Sequence, residues 1–291
     1  MKSIWKWTLF GGYTLITIVL FLYLLFPEET IKEYAQNRVI QMQPDLSVTI
    51  DTVRPSFPPG LRFKAVSLQH AGKPLLAFSN IRFSPELSTL FTKNPAYRFL
   101  AAAYDGSIKG RIREYPDASD AHLSAHARIQ DIDIGKLFVS KTLSKFSIGG
   151  RLNGEILLNK DHKEQVDVNA QLEIEEATVE LDAPLIFLKT LSFKKIQTDL
   201  KMRSRTLIIR QLSVKGPQMD GRISGSIFLS GDLKQSVLNL TGKIKPNHLL
   251  LAAIGKGFQS LLSSAMKREQ DGISFRINGT IEKPAFSFTP S

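Results

Sequence analysis

One uncharged apolar segment near the N-terminus constrains this chain more than any other feature. The segment Thr8–Phe26 has 19 residues and no charged side chain. A helix that crosses a bilayer needs about 20 mostly apolar residues, because its backbone must satisfy its own hydrogen bonds in lipid. Lys2 and Lys6 precede the segment, so the positive-inside rule places the N-terminus in the cytoplasm. We expect residues 1–27 to form a cytoplasmic tip and a single-pass anchor, with the bulk of the chain across the membrane.

Two other interpretations of this segment remain open. A cleaved secretory signal has a similar basic start and apolar core, but the small-residue cleavage site is missing here. A buried core helix is usually amphipathic, whereas this segment is apolar on every side. The anchor interpretation assigns membrane contacts to Trp5, Trp7, Leu9, Phe10, Ile16, Val19, Phe21, Leu25 and Phe26.

Composition narrows the classes of function. The chain has 291 residues, no cysteine and a formal net charge of +11. The absence of cysteine excludes disulfides, thiolate metal sites and cysteine nucleophiles. A basic surface suits nucleic acid, an anionic membrane or acidic partners. Because the basic residues are dispersed and the domain is expected across the membrane, we predict a solvated basic face beside anionic lipid and no nucleic-acid partner.

Residues 28–44 are predicted to form a helix that leaves the membrane. Apolar residues recur at helical spacing between Pro27 and Met42, and Glu28 and Glu29 complement the helix dipole. Pro44 ends the pattern. The apolar stripe predicts packing on the following domain; the alternative is a helix that binds a partner or the membrane interface.

From residue 45 onward the hydrophobic period changes to two, which predicts short strands with one apolar and one polar face. The pattern is clearest at Leu123–Ile129, Val166–Ile174 and Ile196–Met202, with a phase change expected between Ile209 and Leu212. No regular alternation of strands with long helices is present. The predicted fold is therefore mainly β: an N-terminal transmembrane helix, then a long, curved antiparallel sheet over residues 45–291 with a few short helices and one longer C-terminal helix.

A short glycine-centred phrase occurs four times, at Gly106–Ile112, Gly150–Ile156, Gly221–Ile227 and Phe275–Ile281. In a strand, its central glycine shares the apolar face with the aliphatic residues two positions away, where it lets the sheet bend or another group approach. Coincidence in a glycine-containing β protein is the alternative. The candidate groove-lining residues are Ile108, Gly110, Ile112, Leu152, Gly154, Ile156, Ile223, Gly225, Ile227, Ile277, Gly279 and Ile281.

Three segments interrupt the strand pattern. Glu86–Phe91 predicts one or two helical turns and Ile134–Leu143 a short helix. Pro246–Arg268 predicts a longer helix whose apolar stripe either covers the sheet or forms a lid over a groove for acyl chains. The lid candidates are Leu250, Ile254, Phe258, Leu261 and Leu262.

Motifs for catalysis and cofactors are missing from the sequence. His122 and His126 have the spacing of a helical metal pair, but in a strand they would lie about 13 Å apart. Neither a nucleophile elbow, a phosphate-binding loop nor a dinucleotide fingerprint occurs. We predict a protein that is not an enzyme and that has no cofactor and no metal site.

The order of these features resembles a known group of envelope proteins. An N-terminal anchor, the segment Val48–Leu68, the Gly106 phrase and the closing Gly279-Thr-Ile281-Glu-Lys-Pro284 resemble the AsmA-like proteins. Within that group, length and layout look most like the type II secretion system protein N family. The resemblance implies a bacterial inner-membrane protein with a periplasmic β-domain, and it supplies no catalytic residues. Relatives of this group are thought to carry lipid along grooved sheets.

Two functions follow from the resemblance. The first is a non-catalytic assembly role in type II protein secretion, with other secretion proteins as partners. The alternative is a lipid-binding or lipid-transfer role, with phospholipid acyl chains in a groove along the apolar face. The two differ in whether the sheet presents an open apolar trough or a filled core.

Overall fold

The structure is a computed structural model that describes residues 2–42, 46–57, 59–70, 72–116, 122–137, 146–163, 165–181, 190–253 and 272–288. It divides into two compact units, Met1–Pro85 and Glu86–Ser291. Within each unit every strand pairs antiparallel with the next strand of the chain. The prediction of a mainly β, antiparallel protein with few helices is confirmed.

The first unit holds two helices and three strands. They are α1 (Lys2–Leu24), α2 (Glu28–Met42), β1 (Leu46–Ser56), β2 (Gly60–His70) and β3 (Lys73–Pro85).

The second unit holds eleven strands and short helical segments. It consists of a 3₁₀ turn (Leu87–Thr89), β4 (Ala96–Ala103), β5 (Gly106–Glu114), β6 (Leu123–Asp133), α3 (Ile134–Leu137), β7 (Phe146–Lys160), β8 (Val166–Leu181), β9 (Thr190–Arg203), β10 (Thr206–Lys215), β11 (Met219–Phe228), a second 3₁₀ turn (Leu233–Gln235), β12 (Val237–Pro246), α4 (His248–Ala253), β13 (Ile273–Thr280) and β14 (Pro284–Phe288).

Helix α1 contains most of the uncharged segment and ends at Leu24. Many of its described apolar side chains are exposed, among them Trp7, Phe10 and Phe21. Among the residues that the structure describes, no helix is long and apolar enough to cross a membrane. The anchor therefore stays a prediction.

Helix α2 packs on the first three strands, as its apolar stripe predicted. Val53, Ile50 and Val66 form the buried core of this unit, and Val53 is fully inaccessible. Ile31 and Ala35 of α2 pack on these three residues. Partly buried strand residues also pack on them: Val48, Phe63, Phe78 and Ile81.

The chain between the two helices is tied to the sheet. Phe26, which the anchor interpretation assigned to the membrane, is partly buried and packs on this core instead. It lies between the end of α1 at Leu24 and the start of α2 at Glu28. The Tyr23 hydroxyl donates to the Pro55 carbonyl at 3.1 Å, and Glu28 accepts from the Val53 amide at 3.0 Å. That amide and then Lys32 hold the pKa of Glu28 below its ordinary value.

In β1, β2 and β3 the alternation of apolar and polar residues shifts by one position, and the three shifts lie next to one another in the sheet. Ile50, Val66 and Phe78 are directly opposite one another. The next apolar row, which also packs on the core, is formed by Val53, Phe63 and Ile81. A spacing of three residues between the rows would put them on opposite faces of a regular strand. Ala65 has a φ of 47°, and this local bend between the rows turns both toward α2.

The longer strands of the second unit contain similar one-residue shifts in the alternation of apolar and polar residues. The register of β10 shifts between Ile209 and Leu212 against β11, which confirms the predicted phase change. Asp131 and Glu176 have φ values of 54° and 50° and mark similar breaks in β6 and β8. Each break returns the following apolar residues to the same face.

The predicted interruptions are found in part. The turn Leu87–Thr89 confirms a helical turn within Glu86–Phe91. Helix α3 covers Ile134–Leu137, and α4 covers His248–Ala253. The remainder of both predicted helices, including Ile254, Phe258, Leu261 and Leu262, lies outside the described residues.

Candidate functional site

The candidate site is the apolar face of the second unit, where cross-strand pairing aligns apolar residues into continuous rows. Residues directly opposite each other on neighbouring strands share one face of a sheet. The first row crosses all eleven strands: Phe99, Gly110, Ala127, Ile156, Ala170, Leu200, Ile209, Gly225, Leu240, Ile277 and Phe286.

Two more rows flank the first and also cross the eleven strands. The second is Ala101, Ile108, Ile129, Gly154, Leu172, Thr198, Leu212, Ile223, Gly242, Phe275 and Phe288. The third is Tyr97, Ile112, Ala125, Leu158, Val168, Met202, Leu207, Ile227, Leu238, Gly279 and Pro284. A fourth, shorter row consists of Ile132, Leu152, Ile174, Ile196, Val214, Gly221, Ile244 and Ile273.

Much of this apolar face remains partly accessible. Most row members are half-buried, whereas eight are buried: Ala101, Ile129, Ile132, Ala170, Ile209, Leu240, Ile273 and Phe275. Among the described residues of this unit, α3 packs chiefly on β7 and α4 on β12. With strands about 4.8 Å apart, eleven strands extend the rows about 48 Å along the sheet surface. The face is therefore long and apolar, and it retains accessible surface.

Two of its glycines make room for aromatic rings on the neighbouring strand. A Cβ atom at Gly110 would lie 2.4 Å from the ring of Phe99, its direct cross-strand partner. A Cβ atom at Gly242 would lie 2.6 Å from the ring of Phe275, which is likewise its partner. The rings thus cover glycine backbone that would otherwise be bare, which compensates for the missing side chain.

Gly225 is required for a different reason, since its backbone has a φ of +140°. A Cβ atom there would lie 2.2 Å from the Asn239 carbonyl oxygen. We expect Gly225→Val to destabilise the second unit by about 2 kcal/mol, from backbone strain and this clash. Thermal unfolding of the full chain measures the loss. Gly231→Val is the control, since a Cβ there meets nothing within 4 Å; equal losses at both positions would contradict the argument.

One end of the face is an open aromatic edge. In β14, Phe286 and Phe288 are 52% and 55% exposed. The Phe286 ring stacks on Phe275 with centroids 5.3 Å apart and meets Phe288 edge-on at 5.1 Å. Strand β14 pairs with β13 through five residues, and every one of its side chains is exposed.

The predicted site residues fall largely on this face. The structure brings eleven of the twelve candidate groove residues into the four rows through β5, β7, β11 and β13. Ile281 does not join them, because β13 ends at Thr280. Leu250 is buried in α4. Sequence periodicity missed the register that aligns the phrases with Leu200, Ala170 and Phe99, because pairing partners are not encoded locally.

The opposite, polar face is held by ion pairs. Arg98 and Arg111 lie directly opposite each other, and both donate to the Glu86 carboxylate. Arg98 first, and Arg111 with it, hold the pKa of Glu86 below its ordinary value of 4.5. Glu155 accepts from Arg128 in the same way. Sequence reasoning missed Glu86 because it lies ten or more residues from both arginines.

We expect Glu86→Gln to lower the melting temperature at pH 7 and to lower it less at pH 3. Because the pKa of Glu86 is depressed in the folded chain, its stabilisation is complete above the unfolded value and is lost as the pH falls through the folded value. Melting curves at both pH values test this. Glu180→Gln, at an exposed carboxylate on β8, is the control; a difference for Glu86→Gln that is as large at pH 3 as at pH 7 would contradict the assignment.

The arrangement offers a surface for binding apolar groups. The His122 ring lies 5.0 Å from that of His162. Within the described ranges no group of three or more His, Asp or Glu side chains is placed to hold a metal ion.

The resemblance to AsmA-like proteins stays a prediction. Comparisons with protein-family models, with curated proteins and with solved structures give no match to this chain.

Proposed function

We propose that this chain is a membrane-anchored, non-catalytic protein of the bacterial envelope whose apolar sheet face binds lipid acyl chains. The observation that carries the proposal is the set of four aligned apolar rows with partly accessible side chains. Burying a methylene group against such a surface contributes about 0.8 kcal/mol. The rows extend about 48 Å, about three times the thickness of one hydrocarbon leaflet. They therefore offer enough surface for complete acyl chains.

The membrane location rests on the uncharged segment Thr8–Phe26 and on the lysines before it. Exposed apolar side chains along α1 agree with an apolar environment for this helix. The anchor is proposed to span the inner membrane once, with the N-terminus in the cytoplasm. The helices and strands that follow α1 then lie in the periplasm. A periplasm-dependent reporter fused after residue 44 should be active; activity only of a cytoplasmic reporter would contradict this topology.

Site-specific photocrosslinking in cells tests the acyl-chain proposal. A photoreactive phenylalanine analogue replaces Leu200 on the apolar face or its neighbour Lys201 on the polar face of β9, and membranes are labelled with radioactive phosphate. Phospholipid adducts should form at position 200 and not at position 201. Absence of adducts at position 200 in a folded, membrane-associated chain would refute lipid binding at this face.

An assembly role in type II protein secretion is the second candidate, and the exposed edge strand β14 favours it. An unpaired edge can accept a strand from a partner protein. The same photoreactive residue placed at Ser287 of β14 should then form adducts with other secretion proteins. Absence of protein adducts at Ser287, together with lipid adducts at position 200, would leave the lipid role alone.

A further inference from the structure

Three arginines of the first unit stand directly opposite one another across β1, β2 and β3. Arg54 pairs with Arg62, and Arg62 pairs with Arg82. They alternate with Val53, Phe63 and Ile81 along the strands, so they occupy the face that points away from the core of this unit. Like charges directly opposite on a sheet are destabilising. We name Arg54, Arg62 and Arg82 the arginine row.

In the described part of the chain, the arginine row has no directly bonded carboxylate of the kind that a similar pair in the second unit possesses; the Glu28 carboxylate, whose pKa Arg54 helps to lower, lies beyond ion-pair distance. Arg98 and Arg111 share Glu86, as described above. None of the carboxylates in the described part of the chain forms an ion pair with Arg54, Arg62 or Arg82. Opposed guanidinium groups without a directly bonded carboxylate favour the binding of an anion supplied from outside.

The position of the row indicates where that anion comes from. The hydrogen bond between Tyr23 and Pro55 joins the end of α1 to the residue that follows Arg54. Arg82 donates to the Phe57 carbonyl and holds the turn between β1 and β2, where the Phe57 ring is 88% exposed. An exposed aromatic ring beside basic side chains is typical of a membrane–water interface.

We propose that the arginine row binds phosphate groups of anionic phospholipids at the surface of the membrane that holds α1, with Phe57 in the interface. This inference rests on the proposed anchor in α1. The guanidinium fork matches phosphate oxygens in pairs, so a lipid phosphate both neutralises neighbouring arginines and fills their donors. It also fixes the first three strands against the bilayer surface.

The natural absence of cysteine makes the test direct. Single cysteines replace Phe57 or Ser47 in the full chain, and each carries a fluorophore. Position 47 lies in β1 and position 57 directly follows the end of that strand, about 33 Å away at about 3.3 Å per residue. The labelled chains are reconstituted in phosphatidylcholine vesicles, with or without phosphatidylglycerol, that contain lipids bearing a nitroxide quencher. Quenching at position 57, but not at position 47, should increase with phosphatidylglycerol and fall at high salt.

Charge reversal identifies the residues responsible. Arg54→Glu with Arg82→Glu should weaken the phosphatidylglycerol-dependent quenching by at least about 30-fold, since the loss of each basic residue near an anionic surface costs about fivefold and each new carboxylate adds repulsion. Arg222→Glu with Lys243→Glu is the matched control: the same change in charge at two directly opposed cations of the second unit, which should leave quenching at position 57 unchanged. Arg54→Glu alone, which leaves the bond from Arg82 to Phe57 in place, should weaken the quenching by at least about fivefold.

The outcomes separate this inference from the proposed anchor. Release of the chain from vesicles by alkaline carbonate would refute the anchor. A retained chain with equal quenching at position 57 in both vesicle types, or with quenching unaffected by the arginine variants, would overturn only the arginine row as a phosphate site. Polyglutamate and sulfate are also added in amounts of equal charge. If polyglutamate abolishes the phosphatidylglycerol effect and sulfate does not, the row binds an acidic protein, and its assignment as a lipid-phosphate site is likewise overturned.

Discussion

Leu200→Lys should reduce the capture of phospholipid acyl chains by the apolar face by about 50-fold, because a charged side chain would displace about three methylenes at about 0.8 kcal/mol each. Leu200 lies in the first row, directly opposite Ala170 on one side and Ile209 on the other. A lysine there places an ammonium group in the middle of a row that crosses all eleven strands. Quantifying phospholipid that co-purifies with the full chain by mass spectrometry measures the effect.

Lys201→Glu supplies the matched control for this prediction. Lys201 follows Leu200 on β9 and points to the polar face, so the same strand carries both changes. Leu200 is only half-buried, which lets the lysine variant fold. Equal lipid content in both variants and the native chain would show that the apolar face is not the binding surface.

Val53→Asp should destabilise the first unit by about 4 kcal/mol or more, because it buries an unpaired carboxylate. Val53 is fully inaccessible between α2 and the strands. Its amide also bonds Glu28, so the new carboxylate would lie close to an existing one. Hydrogen exchange of the β1–β3 amides in the full chain should accelerate accordingly.

Thr49→Asp on the same strand is the control, since Thr49 is exposed. Its effect should be within about 0.5 kcal/mol of zero, as is usual at surface positions. Amide exchange that remains slow in the Val53 variant would contradict the assignment of Val53 to the core that fixes α2 on the sheet.

Periodicity in the sequence predicted a large part of this fold, because burial on one face imposes alternation whatever the neighbours are. The Val166–Ile174 part of β8 and the packing of α2 follow from local pattern alone. The phase changes at Ala65, Asp131 and Glu176 were not predicted. Each phase change needs only one residue with a positive φ, and these three residues are of different types, so the sequence does not indicate where it occurs.

The candidate site was predicted less completely, because register depends on partners far apart in the chain. The four glycine phrases pointed to the apolar face, yet they did not reveal that Phe99 covers Gly110 or that Phe275 covers Gly242. Likewise the arginine row is visible only after three strands are aligned, since Arg54, Arg62 and Arg82 have no regular spacing.

Because each strand of the second unit pairs only with its predecessor and its successor, this sheet can be assembled in the order in which residues become available. Every hairpin that forms offers a template for the next one, and no strand has to wait for a distant part of the chain. A polypeptide threaded through a translocation channel from its N-terminus meets that requirement. By the same logic, gain or loss of a whole hairpin would lengthen or shorten the apolar surface without rearranging the rest, so its reach can evolve in steps of two strands.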